Sequence, residues 1–377
     1  VIFPLATALV LTLATLLLMV PFALVPALLG RRQWPYWRAG LWLHAGLFLL
    51  HLFVTFPGLL GYWGSRQLST RPHERTYAGP RLGTDGQLLV QDWDSLEREA
   101  KAGRPEVAEA IVTAAAQRQQ TIPSTDGVTL RAFRLEATRE PPVATAVLVH
   151  GLFRSALELE PVAKMLRELG CECWLVELRN HGGSSRAPFT AGLRESDDVV
   201  AAVQHVRKMP GRSQVPMVVF GVSLGTVAVS LALPRLDGLA GVVLDAPIDD
   251  LSAAARRLML FRRPDDSRSW LAIHEPWQSL VLQSLELWSG FSADAVVPAV
   301  VLANLPVDLP VLLVGAGRDD RATPETVQRL FDSLPMPAER RRLWSVPESR
   351  HGHVFLDDPE GYREQLRWLL SVGRQPR

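Results

Sequence analysis

Lysine is almost absent from this 377-residue chain: Lys101, Lys164 and Lys208 are the whole supply, and arginine carries the rest of the positive charge. Forty Lys+Arg against 39 Asp+Glu leave a net charge of +1, so no overall field favours nucleic acid or another polyanion. Cysteine is scarce as well. Cys171 and Cys173 cannot build a disulfide framework, and no Cys/His spacing suits zinc. From Val1 to Gly64 there is no Asp, Glu or Lys, and Arg31, Arg32 and Arg38 are the only formal charges. The chain is 47% hydrophobic, and the excess sits largely in this stretch, which argues against a purely soluble protein. Internal repeats and low-complexity tracts are lacking.

Two apolar runs, 5–30 and 41–61, flank the arginine cluster. Each has the ~20 residues needed to cross a hydrocarbon core of roughly 30 Å. Trp34, Tyr36, Trp37 and Trp42 lie between or beside the runs, and Tyr62 and Trp63 close the second, where interfacial aromatics belong. The expectation is a membrane anchor over 1–64 made of two transmembrane helices, integral in a lipid bilayer. A cleaved signal peptide fits poorly, because no basic stretch precedes the first run. Arg31, Arg32 and Arg38 pull the hairpin tip toward the cytoplasm, whereas Arg66, Arg71, Arg75 and Arg81 pull the other way, so the side of the catalytic domain stays open. His44 and His51 are seven apart, hence on one helix face, and read as helix-contact residues. Residues 65–120 read as a connector with short helices at 92–102 and 105–119.

Beyond residue 121 strands and helices alternate regularly. Strands are expected at 129–137, 144–150, 171–178, 216–220, 241–245, 310–315 and 342–346. Helices are expected at 157–170, 196–209 (with Ser196 as N-cap), 226–233 and 359–372. Apolar strands without polar alternation, joined by helices, imply a mostly parallel sheet covered on both faces. The two cysteines, two apart on one such strand, read as small core side chains.

The chemistry gathers at the strand ends. Gly221-Val222-Ser223-Leu224-Gly225 is a G-x-S-x-G sequence between the strand PMVVF and the helix TVAVSLAL, the strand–turn–helix setting of a nucleophile elbow. His150-Gly151-Leu152-Phe153 ends an earlier strand, where the N–H of Leu152 can join that of Leu224 as an oxyanion hole. His150 itself reads as a structural hydrogen-bonder. An acid and a base are expected beyond later strands in the order Ser, Asp/Glu, His. AGRDDRATP follows PVLLVG, and PESRHGH follows the next strand.

With TDGVTLRAF, VLVHGLFRSA, ELRNHGGSS, GVSLG, LDAP, PVLLVGAGRDDRATP and VPESRHGH, residues 121–372 resemble the α/β-hydrolase superfamily, particularly its esterase, lipase and serine-peptidase-like branch. The resemblance implies an α/β-hydrolase fold in a catalytic domain over 121–377, with Ser223 as nucleophile, Asp320 as the acid and His351 as the base. Asp319 is a weaker candidate acid through the same G-x-x-D-x-x-x-P region, Asp245 ranks third, and His353 is the alternative base. It implies no metal or organic cofactor. It also places an insertion between Asp245 and Pro310 that covers the site and shapes the acyl pocket. There Arg256, Arg257, Arg262 and Arg263 crowd Met259, Leu260 and Phe261. The expected activity is hydrolysis of carboxylic esters, with the anchor directing attention to a small-molecule or lipid acyl substrate such as a lysophospholipid. A peptidase or amidase on the same triad and a catalytically silent membrane scaffold are the alternatives.

Overall fold

The computed structural model describes residues 2–28, 34–74, 81–82, 88–89, 118–260, 269 and 271–374. The expected connector helix at 92–102 lies outside them, as does that at 105–119 up to residue 117, with Gln119 found in a strand; Arg31, Arg32, Arg262 and Arg263 lie outside as well. The chain divides into two compact units, one of residues 1–66 with 255–291 and one of residues 67–254 with 292–377. The expected boundary at 64 did not foresee that part of the later insertion would pack with the N-terminal helices.

The larger unit is built on one eight-stranded sheet. Its strands are β1 (Gln119–Pro123), β2 (Thr129–Leu135), β3 (Thr145–Val149), β4 (Glu172–Val176), β5 (Met217–Val222), β6 (Leu239–Asp245), β7 (Val311–Ala316) and β8 (Arg341–Val346). Their spatial order is β1-β2-β4-β3-β5-β6-β7-β8. β1 and β2 pair antiparallel, as do β2 and β4, and every other neighbour is parallel. The sheet is thus mixed and mostly parallel. It begins at Gln119, because β1 is an edge strand that pairs only with β2.

Alternation along the central strands explains the two covered faces. Val147, Val149, Val219, Val242, Leu244, Val311 and Leu313 enter one apolar cluster, whereas Ala146, Leu148, Val218, Phe220, Val243, Leu312 and Val314 enter the other. Successive side chains point to opposite faces, so a strand buried on both sides must be apolar throughout. Each fully buried Val, Leu or Phe contributes about 1.5–3 kcal/mol relative to exposure. Cys171 and Cys173 are buried on one face, as expected of small core residues, and burial pushes the Cys171 thiol up to about 12.

The helix at Glu195–Arg207 starts one residue before the expected cap, and Ser196 lies inside it. The buried carboxylate of Glu195 ties the preceding loop to the helix start, accepting from the N–H groups of Thr190 (3.0 Å) and Gly192 (2.8 Å) and from the Thr190 hydroxyl (2.8 Å). A carboxylate at a helix start is favoured by the helix dipole.

In the smaller unit, α1 (Ile2–Leu28) is followed by α2 (Trp34–Leu50), a π-helical turn at His51–Thr55 and α3 (Phe56–Glu74), which form one continuous run. His44 Nδ1 meets Thr15 Oγ1 at 2.9 Å and His51 Nε2 meets Thr7 Oγ1 at 3.2 Å. The two histidines therefore join α1 to the second run, which lies antiparallel to it. Among the described residues one helix, Gly40–Ser69, is long and apolar enough to cross a membrane. The apolar stretch described in α1, Pro4–Leu17, is shorter than a span, so the expected pair is matched by one candidate.

Candidate active site

Parallel registry brings the carboxyl ends of five strands to one rim. Val149 lies beside Gly221, Val222 beside Asp245, Asp245 beside Val314, and Ala316 beside Val346. Loops leaving that edge are where α/β sheets place ligands.

Ser223 stands between β5 and the helix α4 (Leu224–Ala232) at φ 53°, ψ −119°. A non-glycine residue held there costs on the order of 1–3 kcal/mol, and the surroundings must enforce it. They do. The Ser223 N–H donates to the Asp245 carbonyl at 2.9 Å, and the Thr226 N–H and hydroxyl both donate to the Ser223 carbonyl, at 2.9 and 2.5 Å. The turn closes only on glycine at both flanks. A Cβ on Gly221 would lie 2.6 Å from the Gly225 carbonyl oxygen, and one on Gly225 would lie 2.4 Å from that of Val149.

His351 reaches this serine from the loop after β8. Its Nε2 lies 2.7 Å from Ser223 Oγ, and its Nδ1 lies 2.7 Å from Asp319 Oδ2. Asp319 Oδ1 is held in turn by the N–H groups of Arg321 (2.8 Å) and Ala322 (2.9 Å). With Nδ1–H donating to the carboxylate, Nε2 presents a lone pair to the serine hydroxyl. The loops that carry Asp319 and His351 are laced together by Gly317 N–H on the Val346 carbonyl and Arg318 N–H on the Ser349 carbonyl, both 2.9 Å.

The expected acid is corrected by one residue. Asp320, named from the G-x-x-D spacing, has its side chain 47% exposed and 3.9 Å from Arg321, whereas Asp319 is fully buried against His351. The reason is the turn itself. Asp319 N–H closes back on the Ala316 carbonyl at 3.2 Å, which points its side chain at the histidine and sends the next one outward. Of the two histidines, His351 is the one on Ser223, while His353 sits at the N-cap of the short helix Val354–Asp357.

Asp245 is buried at the end of β6, and its Oδ2 accepts from the Tyr362 hydroxyl at 2.8 Å. Burial, reinforced by the negative charges of Asp319 and Glu158, pushes this carboxyl up to about 7. An unfolded aspartate titrates near pH 4. Between about pH 4 and 7 the native state therefore keeps a proton that the unfolded chain has lost, and stability falls as pH rises through that window. Asp245→Asn keeps an acceptor for Tyr362 and removes the charge. Its unfolding free energy should be nearly flat where that of the wild type falls, leaving the variant on the order of 4 kcal/mol more stable at pH 8. Denaturant titrations of both proteins at pH 4, 6 and 8 check this; parallel curves would refute it.

The two expected oxyanion donors lie at the start of α4 and in the turn after β3. Leu224 is the first residue of α4, so its N–H has no acceptor within the helix. Leu152 follows β3 in a turn that lies against Ser223, since a Cβ on Gly151 would be 3.4 Å from Ser223 Cβ. His150 is the hydrogen-bonder expected: Nε2 accepts from Leu178 N–H at 3.2 Å, and Nδ1 lies 2.7 Å from the Gly151 carbonyl. Burial lowers the pKa of His150, which favours the neutral ring with its proton on Nδ1. Because a trans peptide is planar, fixing the Gly151 carbonyl on His150 turns the Leu152 N–H to the opposite side.

A mixed, mostly parallel eight-stranded sheet carrying a strand–turn–helix elbow at its carboxyl edge defines the α/β class of hydrolases. The chain belongs to the Alpha/beta hydrolase family, whose sequence profile matches residues 146–365. Solved structures agree on the fold. The Pyrococcus furiosus esterase Pf2001 is 21% identical over 67% of this chain and 90% of its own, with a TM-score of 0.55. Est1E from Butyrivibrio proteoclasticus, solved with ferulic acid bound, is 16% identical over 67% of this chain and 99% of its own, with a TM-score of 0.50. No curated protein matches the chain by sequence.

Proposed function

We propose that the protein is a membrane-anchored serine hydrolase of carboxylic esters. The observation that carries this reading is the continuous relay from Asp319 through His351 to Ser223, both links 2.7 Å. Ser223 Oγ attacks the acyl carbonyl carbon while its proton passes to His351 Nε2. Asp319 holds the imidazole in position and stabilises the imidazolium. The N–H groups of Leu152 and Leu224 receive the oxyanion, each such donor typically contributing about 3 kcal/mol to the transition state. Collapse breaks the ester bond and expels the alcohol, which takes the proton from His351. Water, deprotonated by the same imidazole, then cleaves the acyl-enzyme and restores the serine.

Anchoring is supported by the apolar helix Gly40–Ser69, on which Trp42 stands 78% exposed, and by the apolar run 5–30 proposed as its companion span. A tethered enzyme meets acyl lipids of its own bilayer at high local concentration. The substrate expected is therefore a long-chain or lysophospholipid ester presented in membranes. The full chain reconstituted in phospholipid vesicles is assayed on nitrophenyl esters of rising chain length and on lysophospholipid, alongside labelling by a fluorophosphonate. Ser223-dependent labelling with preference for long acyl chains is expected. Absence of labelling overturns the serine mechanism, equal turnover of short soluble esters overturns the lipid preference, and release of amines from peptides with little esterase activity selects an amidase.

A further inference from the structure

The segment between β6 and β7 contains a helix, α5 (Trp277–Ser289), that packs lengthwise on the long N-terminal helix inside the smaller unit. The Trp277 indole N–H donates to the Leu52 carbonyl at 3.0 Å, at the π-helical turn where the usual hydrogen-bond ladder is out of step. The Phe53 ring stacks on Trp277, 6.1 Å between centroids. Further along, Ser284 Oγ donates to the Gly58 carbonyl at 3.1 Å, and Tyr62 meets Trp288 edge to face at 5.0 Å. These pairs advance together, so the two helices run parallel. Close approach needs the glycines spaced by three. A Cβ on Gly61 would lie 2.5 Å from Ser284 Cβ, and one on Gly64 would lie 3.2 Å from Leu285 Cδ1. Small residues at the contact are how helices in membranes draw near to each other.

The outer side of this pair is apolar. Leu287 is 80% and Trp288 57% exposed, and exposed Leu59, Tyr62 and Trp63 continue the surface along α3. The exposure is not one stripe. Leu41, Trp42 and Leu43 are consecutive, as are Leu49 with Leu50, Phe53 with Val54, and Tyr62 with Trp63, so apolar side chains point outward over a broad arc of the helix, while Leu52 and Phe56 are buried. A second protein copy covers one face, whereas lipid covers every face that α1 and α5 leave open. Tyr62, Trp63 and Trp288 also form an aromatic group at one level, the side-chain type that settles at the headgroup boundary.

We infer that α5 is itself a bilayer-contacting element: the last turn of this helix, through Leu287 and Trp288, enters the lipid interface beside Tyr62 and Trp63. The inference rests on the membrane reading above and adds that the inserted segment, not only the N-terminal helices, touches lipid.

The test uses the full chain in phosphatidylcholine vesicles carrying doxyl-labelled lipids. Single cysteines are introduced by Leu287→Cys, by Leu59→Cys on the N-terminal helix, and by Val307→Cys at an exposed site of the larger unit, each labelled with a nitrobenzoxadiazole dye. Native Cys171 and Cys173 are fully buried, and the thiols of both are pushed well up, so they stay unlabelled. The expected result is about twofold quenching by doxyl lipid at 287 and 59, with 307 quenched by aqueous iodide instead. Iodide quenching at 287 with lipid quenching at 59 overturns the inference and leaves the anchor standing. Iodide quenching at both overturns the anchor and this inference together. Protection of 287 from both quenchers, with disulfide-linked dimers of unlabelled Leu287→Cys on oxidation, assigns the surface to a second copy and also overturns it.

Discussion

Ser223→Ala should lower kcat for ester hydrolysis by about a million-fold and abolish fluorophosphonate labelling, while His351→Ala should do nearly the same to kcat. The argument runs from geometry. The hydroxyl is aimed by a backbone that nothing but the elbow keeps at φ 53°, and its single proton acceptor is the ring nitrogen 2.7 Å away. Removing either partner ends the covalent route, so the double variant should be scarcely slower than the worse single one. What survives is background hydrolysis aided by substrate binding and by backbone N–H groups that neither substitution touches. Rates on one soluble nitrophenyl ester, with folding checked by circular dichroism, measure all three variants. A Ser223→Ala protein within tenfold of wild type would remove the nucleophile from the proposal. A double variant slower by the product of the two single losses would mean that the residues act independently, contrary to the relay.

Much of this site was legible in the chain because its signals are local. Gly221 and Gly225 announce a turn that no side chain fits, and the apolar runs on either side announce the strand and helix it joins. The end of β8 likewise marks the loop that carries His351. Glu195 was missed because a glutamate at a helix start usually signals dipole preference rather than a buried carboxylate that holds the loop at residues 190 and 192. The association of Trp277–Ser289 with Leu52–Tyr62 was missed for a different reason. It joins segments more than 220 residues apart, and its only sequence trace is the three-residue spacing of Gly58, Gly61 and Gly64. The second apolar run was read over 41–61, closed by Tyr62 and Trp63, yet the helix continues to Glu74. Hydropathy marks the length a bilayer accommodates, and backbone hydrogen bonding has no need to stop where it does.

Asp319→Asn should cost about 10,000-fold in kcat with little change in KM, and Asp320→Asn should stay within about twofold of wild type. The residues are adjacent and chemically identical, so composition and charge cannot separate them; only the direction of each side chain does. Asp319 Oδ1 already accepts two backbone N–H groups, which leaves Oδ2 to meet the imidazole. An asparagine there can turn its amide NH2 toward Nδ1 and so favour the tautomer with the proton on Nε2, where it can no longer accept from Ser223. The ring would remain in place in the wrong protonation state, which is why the loss should fall on kcat. Asp320 lies half in solvent next to Arg321, and an exposed pair of that kind contributes at most about 1 kcal/mol to stability and nothing to the relay. Kinetics of both variants across pH 6–10 decide the matter. The Asp319→Asn protein should recover part of its activity at high pH, where hydroxide substitutes for the missing base, and the Asp320→Asn profile should overlay the wild type. The reverse pattern would return the acid to Asp320 and require the loop after β7 to rearrange when substrate binds.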